Sequence, residues 1–260
     1  MRTIPANAMK AYMDKLSALN RAAADAMKAY IQRYGYMDID ALINHAYGIA
    51  TKYGEASAAL SAQTYDAVAE LSGEIFDPAV PAATPSYHEV AKTVTGITKQ
   101  SSNENLLSNA IGRLVKRTGA DTTLQNALRD GAEFAWIPAG DNCAFCITLA
   151  SRGWQRASKK AIQNGHAEHI HANCDCTYAI RFDSETEVAG YNNGEAYKQM
   201  YKNAPLDHWN TPDGRPPAGD EDAEKDTPKN RINAMRRAAY TGNEDEINAQ
   251  KRAAYALREG

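Results

Sequence analysis

The residues with the clearest chemistry in this sequence are its four cysteines, which lie in one short window. Cys143 and Cys146 form a C-x2-C pair, Cys174 and Cys176 form a C-x-C pair, and His171 stands just before the second pair. Zinc prefers four thiolate or imidazole ligands in a tetrahedron, and two close pairs joined by an intervening segment supply such a set. The spacing therefore predicts one structural Zn²⁺ ion bound by Cys143, Cys146 and Cys176 with either His171 or Cys174, a choice that the sequence leaves open.

Two other states of these cysteines stay open at this point. Disulfide bonds are one, but a bridge within the C-x-C pair is strained, and we find no export signal that would predict an oxidising compartment. Buried thiols without a metal ion are the other. A catalytic zinc ion is less favoured, because such an ion keeps a coordination position open, whereas this window offers enough candidate ligands to close the site.

The histidines of the same window suggest an enzyme as the alternative function. His166, Glu168, His169 and His171 could surround the metal ion of a metal-dependent nuclease. Sites for hard metal ions normally gather several carboxylates, however, and Glu168 is the only one nearby. An ADP-ribosyltransferase-like domain is a further enzyme alternative. Because no nucleophile, base and orienting residue form a recognisable set and no G-x-S-x-G motif is present, the sequence favours a protein that is not an enzyme.

The segment around the cysteines resembles the Mu F-like family, the minor head or head-morphogenesis proteins of tailed bacteriophages. The resemblance rests on 136–153, which holds the C-x2-C pair and a downstream glycine, on the H-x2-C-x-C pattern at 171–176, and on the strand-like run TYAIRF at 177–182. The segment 188–201 is also similar to the sequence that follows in phage minor capsid proteins of actinobacterial hosts. The resemblance covers about 106–201, and the cysteine pattern is its specific part.

The resemblance implies a low-copy structural protein of the virion that acts in head morphogenesis. It implies a location inside the capsid at the portal vertex, and in the host cytoplasm during assembly. The implied partners are the portal protein and the major capsid or scaffold proteins, with packaged DNA as a further contact. The family has no established catalytic set, so the resemblance implies no catalytic residues here.

The elements that must position the cysteine window are mainly helices. Between 8 and 34, apolar residues recur at steps of three and four, which is typical of a helix that faces other helices. Gly35 is expected to end this helix, and Asp38 or Asp40 to begin a second one that extends to about Leu71. Since the apolar stripes are narrow and consist largely of small residues, we expect this hairpin, within 1–75, to need a third helix or a partner protein.

The middle of the chain predicts a linker followed by a small module. Prolines in 76–88 predict an extended segment, and the linker is assigned to 76–102. A helix is then expected from Asn103 to Thr118, ended by Gly119, with a second helix capped by Asp121 and reaching about Phe134. The range 103–205 is predicted to be a zinc-stapled α+β module.

The C-terminal part predicts a flexible linker at 206–228, rich in Pro, Gly and acidic residues, and a helical tail at 229–260. The tail contains an internal repeat, since the sequence of 232–240 recurs at 247–255, and two short helices are expected, separated at Thr241. The repeat presents four basic residues as weak candidates for nucleic-acid binding: Arg236, Arg237, Lys251 and Arg252. Acidic residues among them favour a protein partner instead, contacted through four apolar residues of the repeat: Ile232, Tyr240, Ile247 and Tyr255.

Composition limits the remaining function classes. The chain has 29 Lys+Arg and 32 Asp+Glu, a net charge of −3, which excludes a globally basic protein that coats nucleic acid. A short basic run between the cysteine pairs is expected to be solvated surface, with a phosphate-facing patch as the alternative: Arg152, Arg156, Lys159 and Lys160. No window approaches twenty consecutive apolar residues, so no contact with a membrane is predicted. The predicted fold class is mainly α (α+β).

Overall fold

The computed structural model describes residues 2–73, 75–138, 143–160, 175–188, 194–204, 206 and 225–240, with side chains of the last segment up to Arg236. Within these segments the chain is mainly helical with a few short strands, which confirms the predicted fold class. No helix in the described segments is long and apolar enough to cross a membrane.

The N-terminal hairpin consists of α1 (Ala6–Tyr34) and α2 (Ile39–Ser72). Gly35 follows α1 with a φ of 69°, a positive value that favours glycine. The side chain of Asp38 caps α2, because its Oδ1 accepts a hydrogen bond from the backbone N–H of Ala41 at 2.9 Å. With 29 and 34 residues, the helices are about 44 and 51 Å long. The hairpin that the sequence predicts is confirmed.

Two further helices complete the bundle. Helix α3 (Tyr87–Thr98) packs on α2 through Val90 and Val94, which are fully buried, and lies inside the range 76–102 that was predicted as a linker. Helix α4 (Glu104–Asp130) packs against both α1 and α2. It is the third helix that the narrow apolar stripes of the hairpin require.

The predicted helix break at Gly119 is wrong. Helix α4 continues through Gly119 and ends at Gly131, which has a φ of 68°. Gly119 instead faces α2, where a Cβ atom would lie 2.5 Å from Oγ of Ser57 and 2.9 Å from Oγ of Ser61. Asp121, predicted as an N-cap, forms an ion pair within α4. This glycine therefore permits a close approach of two helices and does not terminate one.

The proline-rich stretch between α2 and α3 is extended, as predicted, but it is fixed against the helices. Asn126 of α4 accepts a hydrogen bond from the N–H of Val80 and donates one to its carbonyl, each at 2.9 Å. The N–H of Ala82 donates to Oγ1 of Thr122 at 3.0 Å. Backbone polar groups of an extended segment need partners when buried, and helix side chains supply them here.

Short strands form two small sheets. Strand β1 (Arg2–Ile4), which the sequence analysis did not predict, lies parallel to a later strand near residue 187. The larger sheet has β2 (Glu133–Ile137) between two antiparallel neighbours. Phe134 lies in β2 and not at the end of a helix as predicted. The remaining elements along the described chain are α5 (Ala144–Ala150), β3 (Gln155–Arg156), β4 (Thr177–Arg181), β5 (Thr186–Val188), α6 (Gly194–Lys202) and α7 (Pro228–Tyr240).

Two apolar clusters stabilise the fold. The distal core joins residues of α1 to α4 only, toward the turn between α1 and α2: Ala23, Met27, Ile31, Leu42, Ile43, Ala46, Ile49, Ala50, Val90, Val94, Leu107, Ile111, Leu114 and Val115. The proximal core joins the other halves of α1, α2 and α4 to the larger sheet, α5, α6 and α7, and its members include Tyr12, Leu16, Tyr65, Leu124, Phe134, Cys146, Cys176, Tyr178 and Met235. Residues of 1–75 and of 103–205 thus pack together in the proximal core. Whether these ranges fold independently is not tested, so their boundaries stay predictions.

Candidate metal centre

The first cysteine pair lies at the start of α5. Cys143 precedes the helix and is exposed, whereas Cys146 lies one turn later and is buried. Their Sγ atoms are 3.6 Å apart. A disulfide requires about 2.05 Å. Two sulfur ligands about 2.3 Å from one tetrahedral zinc ion would be about 3.8 Å apart. The spacing of this pair therefore fits two ligands of one zinc ion.

The larger sheet brings the second cysteine pair toward the same end of the molecule. In the antiparallel register of β2 and β4, Ile137 lies opposite Thr177. Cys176 comes just before Thr177, and the chain after Ile137 leads to Cys143 within six residues. Strand pairing therefore places the exit of β2 and the entry of β4 at one edge, and Cys176 is buried there.

Aromatic packing holds this edge of the sheet. The ring of Tyr178 contacts two other rings edge to face. Its centroid lies 4.8 Å from that of Trp136 and 5.6 Å from that of Phe134. Burial raises the pKa of the Tyr178 hydroxyl well above its ordinary value, and the charges of Asp121 and Cys146 act in the same direction. Helix α5 contacts the neighbouring strand β2, and Cys146, Cys176 and Tyr178 belong to the same apolar core.

The full predicted ligand set extends beyond the part of the chain that the structure describes. His171 and Cys174 lie outside the described residues, as do His166, Glu168 and His169 of the nuclease alternative. Among the described residues, no three His, Cys, Asp or Glu side chains come together as a metal site. The choice between His171 and Cys174 therefore stays a prediction, and so does the zinc ion.

A small cavity lies beside Cys176, between α1, α4 and the sheet. Its polar lining includes Asn20, Lys116 and Asp175. The sequence analysis did not single out Lys116, which is buried in the middle of α4. The sequence indicates the burial of Lys116 only weakly. Its spacing of four residues from Gly112 and from Ala120 is the one pattern that places it on the face of α4 that packs inward.

The basic residues predicted as weak nucleic-acid contacts are only partly described. Arg236 is exposed, whereas the Arg237 side chain, Lys251 and Arg252 lie outside the described part of the chain. The short basic run between the cysteine pairs is exposed, in keeping with solvated surface: Arg152, Arg156, Lys159 and Lys160. The contacts that the structure describes do not show which of these basic side chains, if any, binds a phosphate.

The first copy of the tail repeat packs on its own chain. In α7, Ala234 and Met235 are buried and Ile232 packs against the proximal core. The helix contacts α5, which holds Cys146, and also α6. Ile232, which was expected to contact a partner protein, is partly buried against this core, and the partner stays a prediction.

Arg231, which the sequence analysis overlooked, fixes α7 in place. Its guanidinium donates hydrogen bonds to the carbonyls of Tyr201 and Lys202 at 2.7 and 2.6 Å and forms an ion pair with Asp226. It also lies over the Tyr201 ring, 5.1 Å from the centroid. Because the last carbonyls of a helix lack intrahelical partners, Arg231 caps α6 while it anchors α7.

One comparison with known proteins gives a match. The family model described as VG15 protein matches residues 3–204, which run from β1 to just beyond α6 and include the whole cysteine window. No curated protein and no solved structure matches the chain.

Proposed function

Because this chain belongs to the VG15 protein family, a family of phage gene products, we propose that it is a structural minor capsid protein that acts in head morphogenesis. The protein is present in the host cytoplasm during phage assembly. In the finished capsid it docks inside, at the portal vertex. Its partners are the portal protein and the major capsid or scaffold proteins, and packaged DNA is a further contact. The role needs no catalytic residue.

The observation that carries the docking proposal is the exposed apolar end of the helical bundle. At the turn between α1 and α2, Tyr34 is 58% and Met37 is 96% exposed. Leu106, near the start of α4, is also exposed, and Glu104 beside it pairs with Lys28 of α1 at 3.4 Å, so this end of α4 lies beside the C-terminal half of α1. Large apolar side chains that are exposed at this end of the bundle favour a protein partner there.

The docking proposal is tested with charge substitutions at this end. Tyr34→Glu combined with Met37→Glu should abolish incorporation of the protein into phage heads while the purified protein keeps its helical circular dichroism. The matched control is Ile75→Glu, because Ile75 is 99% exposed and follows the opposite end of α2. Incorporation is measured by mass spectrometry of purified heads, and normal incorporation of the double variant would refute docking through this end.

The proposal also includes a structural zinc ion held by Cys143, Cys146 and Cys176 with His171 or Cys174. Such an ion would cross-link α5 to the entry of β4. The 3.6 Å separation of Cys143 and Cys146 supports it, as does the burial of Cys146 and Cys176 in one core. A structural zinc ion contributes on the order of 10 kcal/mol to folding, which is comparable to the whole stability of a domain.

The zinc proposal is tested by elemental analysis of protein purified under reducing conditions without chelator. We expect one zinc ion per chain in the wild-type protein. Cys146→Ser should lose this ion, and the fluorescence of Trp136 should then shift to that of a less ordered environment. Thr148→Val is the control, because Thr148 is also buried in α5 but lies outside the predicted ligand set. Wild-type protein without zinc would overturn the metal site and leave the docking proposal standing.

A further inference from the structure

The larger sheet carries a row of charged side chains at the end where β2 begins. In the register of its three strands, Glu133 of β2 lies opposite Arg156 of β3 on one side and opposite Arg181 of β4 on the other. Residues that lie directly opposite each other share one face of a sheet. Two guanidinium groups therefore flank a single carboxylate in this row.

Arg181 is the cation that neutralises this carboxylate. Its Nε and Nη2 atoms both lie 2.6 Å from Oε2 of Glu133, and its guanidinium lies over the ring of Trp154, 4.6 Å from the centroid. Arg156, on the other side of Glu133, is exposed and forms no ion pair with a carboxylate of the described residues. The positive charge of Arg156 is therefore not balanced within the row.

The chain after β3 adds two more cations beside Arg156. The N–H of Ala157 donates a hydrogen bond to the carbonyl of Ala132 at 2.9 Å, which keeps this part of the chain next to the start of β2. Lys159 and Lys160 follow within three residues of Ala157 and hence within about 11 Å of it. Both are exposed, and neither forms an ion pair with a carboxylate in the part of the chain that the structure describes. We call Arg156, Lys159 and Lys160 the basic patch.

The acidic residues at the junction of α4 and β2 do not offset the basic patch. This junction is adjacent to it, because a Cβ atom at Gly131 would lie 3.6 Å from Nη2 of Arg156. Asp130 pairs with Arg129 at 2.6 Å, just as Glu133 pairs with another arginine. A single exposed cation needs no ligand, but three neighbouring cations without a carboxylate partner produce a local positive potential that attracts anions.

We infer that the basic patch binds the sugar–phosphate backbone of duplex DNA without sequence preference. Duplex DNA carries one negative charge per about 1.7 Å of its axis, so cations spaced as in the patch contact several phosphates at once. The inference rests on the proposed function, which places the protein inside a DNA-filled head. Because α4 has 27 residues and is about 40 Å long, the patch at its C-terminal end stays accessible when the opposite end of the bundle docks.

The experiment measures binding of the full-length protein to a fluorescently labelled duplex by anisotropy at several salt concentrations. For the wild-type protein, the logarithm of the binding constant should fall with the logarithm of the salt concentration with a slope of about −3, one unit per phosphate contact. The triple variant Arg156→Gln, Lys159→Gln, Lys160→Gln should lose most of this slope. At about 50 mM salt it should bind about tenfold more weakly or worse.

The matched control removes the same charges from exposed positions of the helical bundle: Lys15→Gln, Lys92→Gln and Arg113→Gln. It should keep the wild-type slope and affinity, because none of these residues belongs to the patch. Equal weakening in both triple variants would overturn the inference, since net charge alone would then govern binding. Binding that survives loss of the patch but disappears in Arg236→Gln would also overturn it, because the DNA contact would then belong to α7.

A second pair of variants tests the positioning role of Arg181. Arg181→Met leaves Glu133 without its cation, so this carboxylate offsets the charge of Arg156 and DNA binding should weaken. Addition of Glu133→Gln should restore binding, because the neutral amide no longer competes with phosphate. A double variant that stays as weak as Arg181→Met would overturn this role of Arg181.

Incorporation into phage heads, measured on the same variants, separates this inference from the proposed function. A wild-type protein that enters heads but shows no salt-dependent binding to DNA would overturn the inference and leave the docking proposal standing. A protein that binds DNA through the patch but is absent from heads would overturn the proposed function and leave the patch standing.

Discussion

The distal core and the proximal core share three long helices but differ in how many segments of the chain they join. The distal core consists of aliphatic side chains from α1 to α4, such as Met27, Leu42 and Leu107. The proximal core adds aromatic rings and two cysteines from strands and short helices that are far apart in sequence. Strands of two to five residues, such as β3 and β4, are not stable alone. The proximal end therefore depends on long-range contacts that the distal end does not need.

The strongest test of this comparison is a pair of truncations in the same helix. Leu107 and Leu124 are both fully buried in α4, one in each core. Leu107→Ala and Leu124→Ala should each lower the free energy of unfolding by about 2 to 5 kcal/mol. Because α4 runs through both cores, we expect both variants to shift one common transition in urea.

Two probes show whether the cores unfold together. Circular dichroism reports all helices, whereas the fluorescence of Trp136 and Trp154, measured with the third tryptophan removed by Trp209→Phe, reports the proximal end. The two transitions should coincide in both variants. If Leu107→Ala moves the circular dichroism transition and leaves the fluorescence transition unchanged, the two cores are separate folding units, as the boundaries at 75 and 103 would suggest.

The second test concerns the contact between α2 and α4 that lies between the cores. Gly119→Ala should lower the free energy of unfolding by about 1 to 3 kcal/mol, because its Cβ would lie 2.5 Å from Ser57 Oγ. Gly48→Ala is the matched control, since no atom lies within 4 Å of a Cβ at Gly48 in α2. The free energy of unfolding of this control should rise by up to about 1 kcal/mol, because alanine has a higher helix propensity than glycine. Equal stability of the two variants in urea denaturation would show that the helices do not meet closely at Gly119.

The same glycine shows why the distal end could be predicted better than the proximal end. Apolar spacing and the caps at Gly35 and Asp38 are local, so they fixed the limits of α1 and α2 correctly. Gly119 looks like a helix end in a sequence, since its close partner, Ser57, is far away along the chain. Whether a glycine terminates a helix or admits a neighbour depends on that neighbour, which local patterns do not reveal.

The candidate site follows the same rule. The proximity of Cys143 and Cys146 could be predicted because the two residues lie within one helical turn. The role of Arg231 could not, because it acts on the end of α6, a segment distant in sequence. Charged residues with such roles have no local signature that separates them from solvated surface.

The third test asks how strongly α7 is bound to the proximal end. Arg231→Met removes two hydrogen bonds to the last turn of α6 and should weaken the docking of α7 by on the order of 1.5 kcal/mol. Hydrogen exchange of the α7 amides should then become about tenfold faster. Arg236→Met is the control, because Arg236 is exposed in the same helix. Similar exchange rates in the two variants would mean that apolar contacts of Ala234 and Met235 hold α7 without the help of Arg231.

The smallest expected effect is the dependence of α7 docking on pH through Asp226. The hydrogen bond from Arg231 holds the pKa of the Asp226 carboxyl below its ordinary value, and the carboxylate is otherwise mostly in solvent. A carboxyl whose pKa is lower in the folded state stabilises that state at pH values above its unfolded pKa, about 3.9. The contribution is lost as the pH falls below that value toward the folded pKa. Docking of α7 should therefore be constant from neutral pH to about pH 5 and should weaken slightly in more acidic solution.

The measurement that checks this dependence is the methyl NMR signal of Ala234, a fully buried residue of α7. In the wild-type protein its chemical shift should begin to change only below about pH 5. Asp226→Asn should reduce that acid-dependent change, because the neutral amide cannot titrate, and should leave the signal at neutral pH close to that of the wild type. A change centred near pH 6 would assign the dependence to a histidine instead. An unchanged acid response in Asp226→Asn would show that the contact between Asp226 and Arg231 contributes nothing to the docking of α7 on the proximal core.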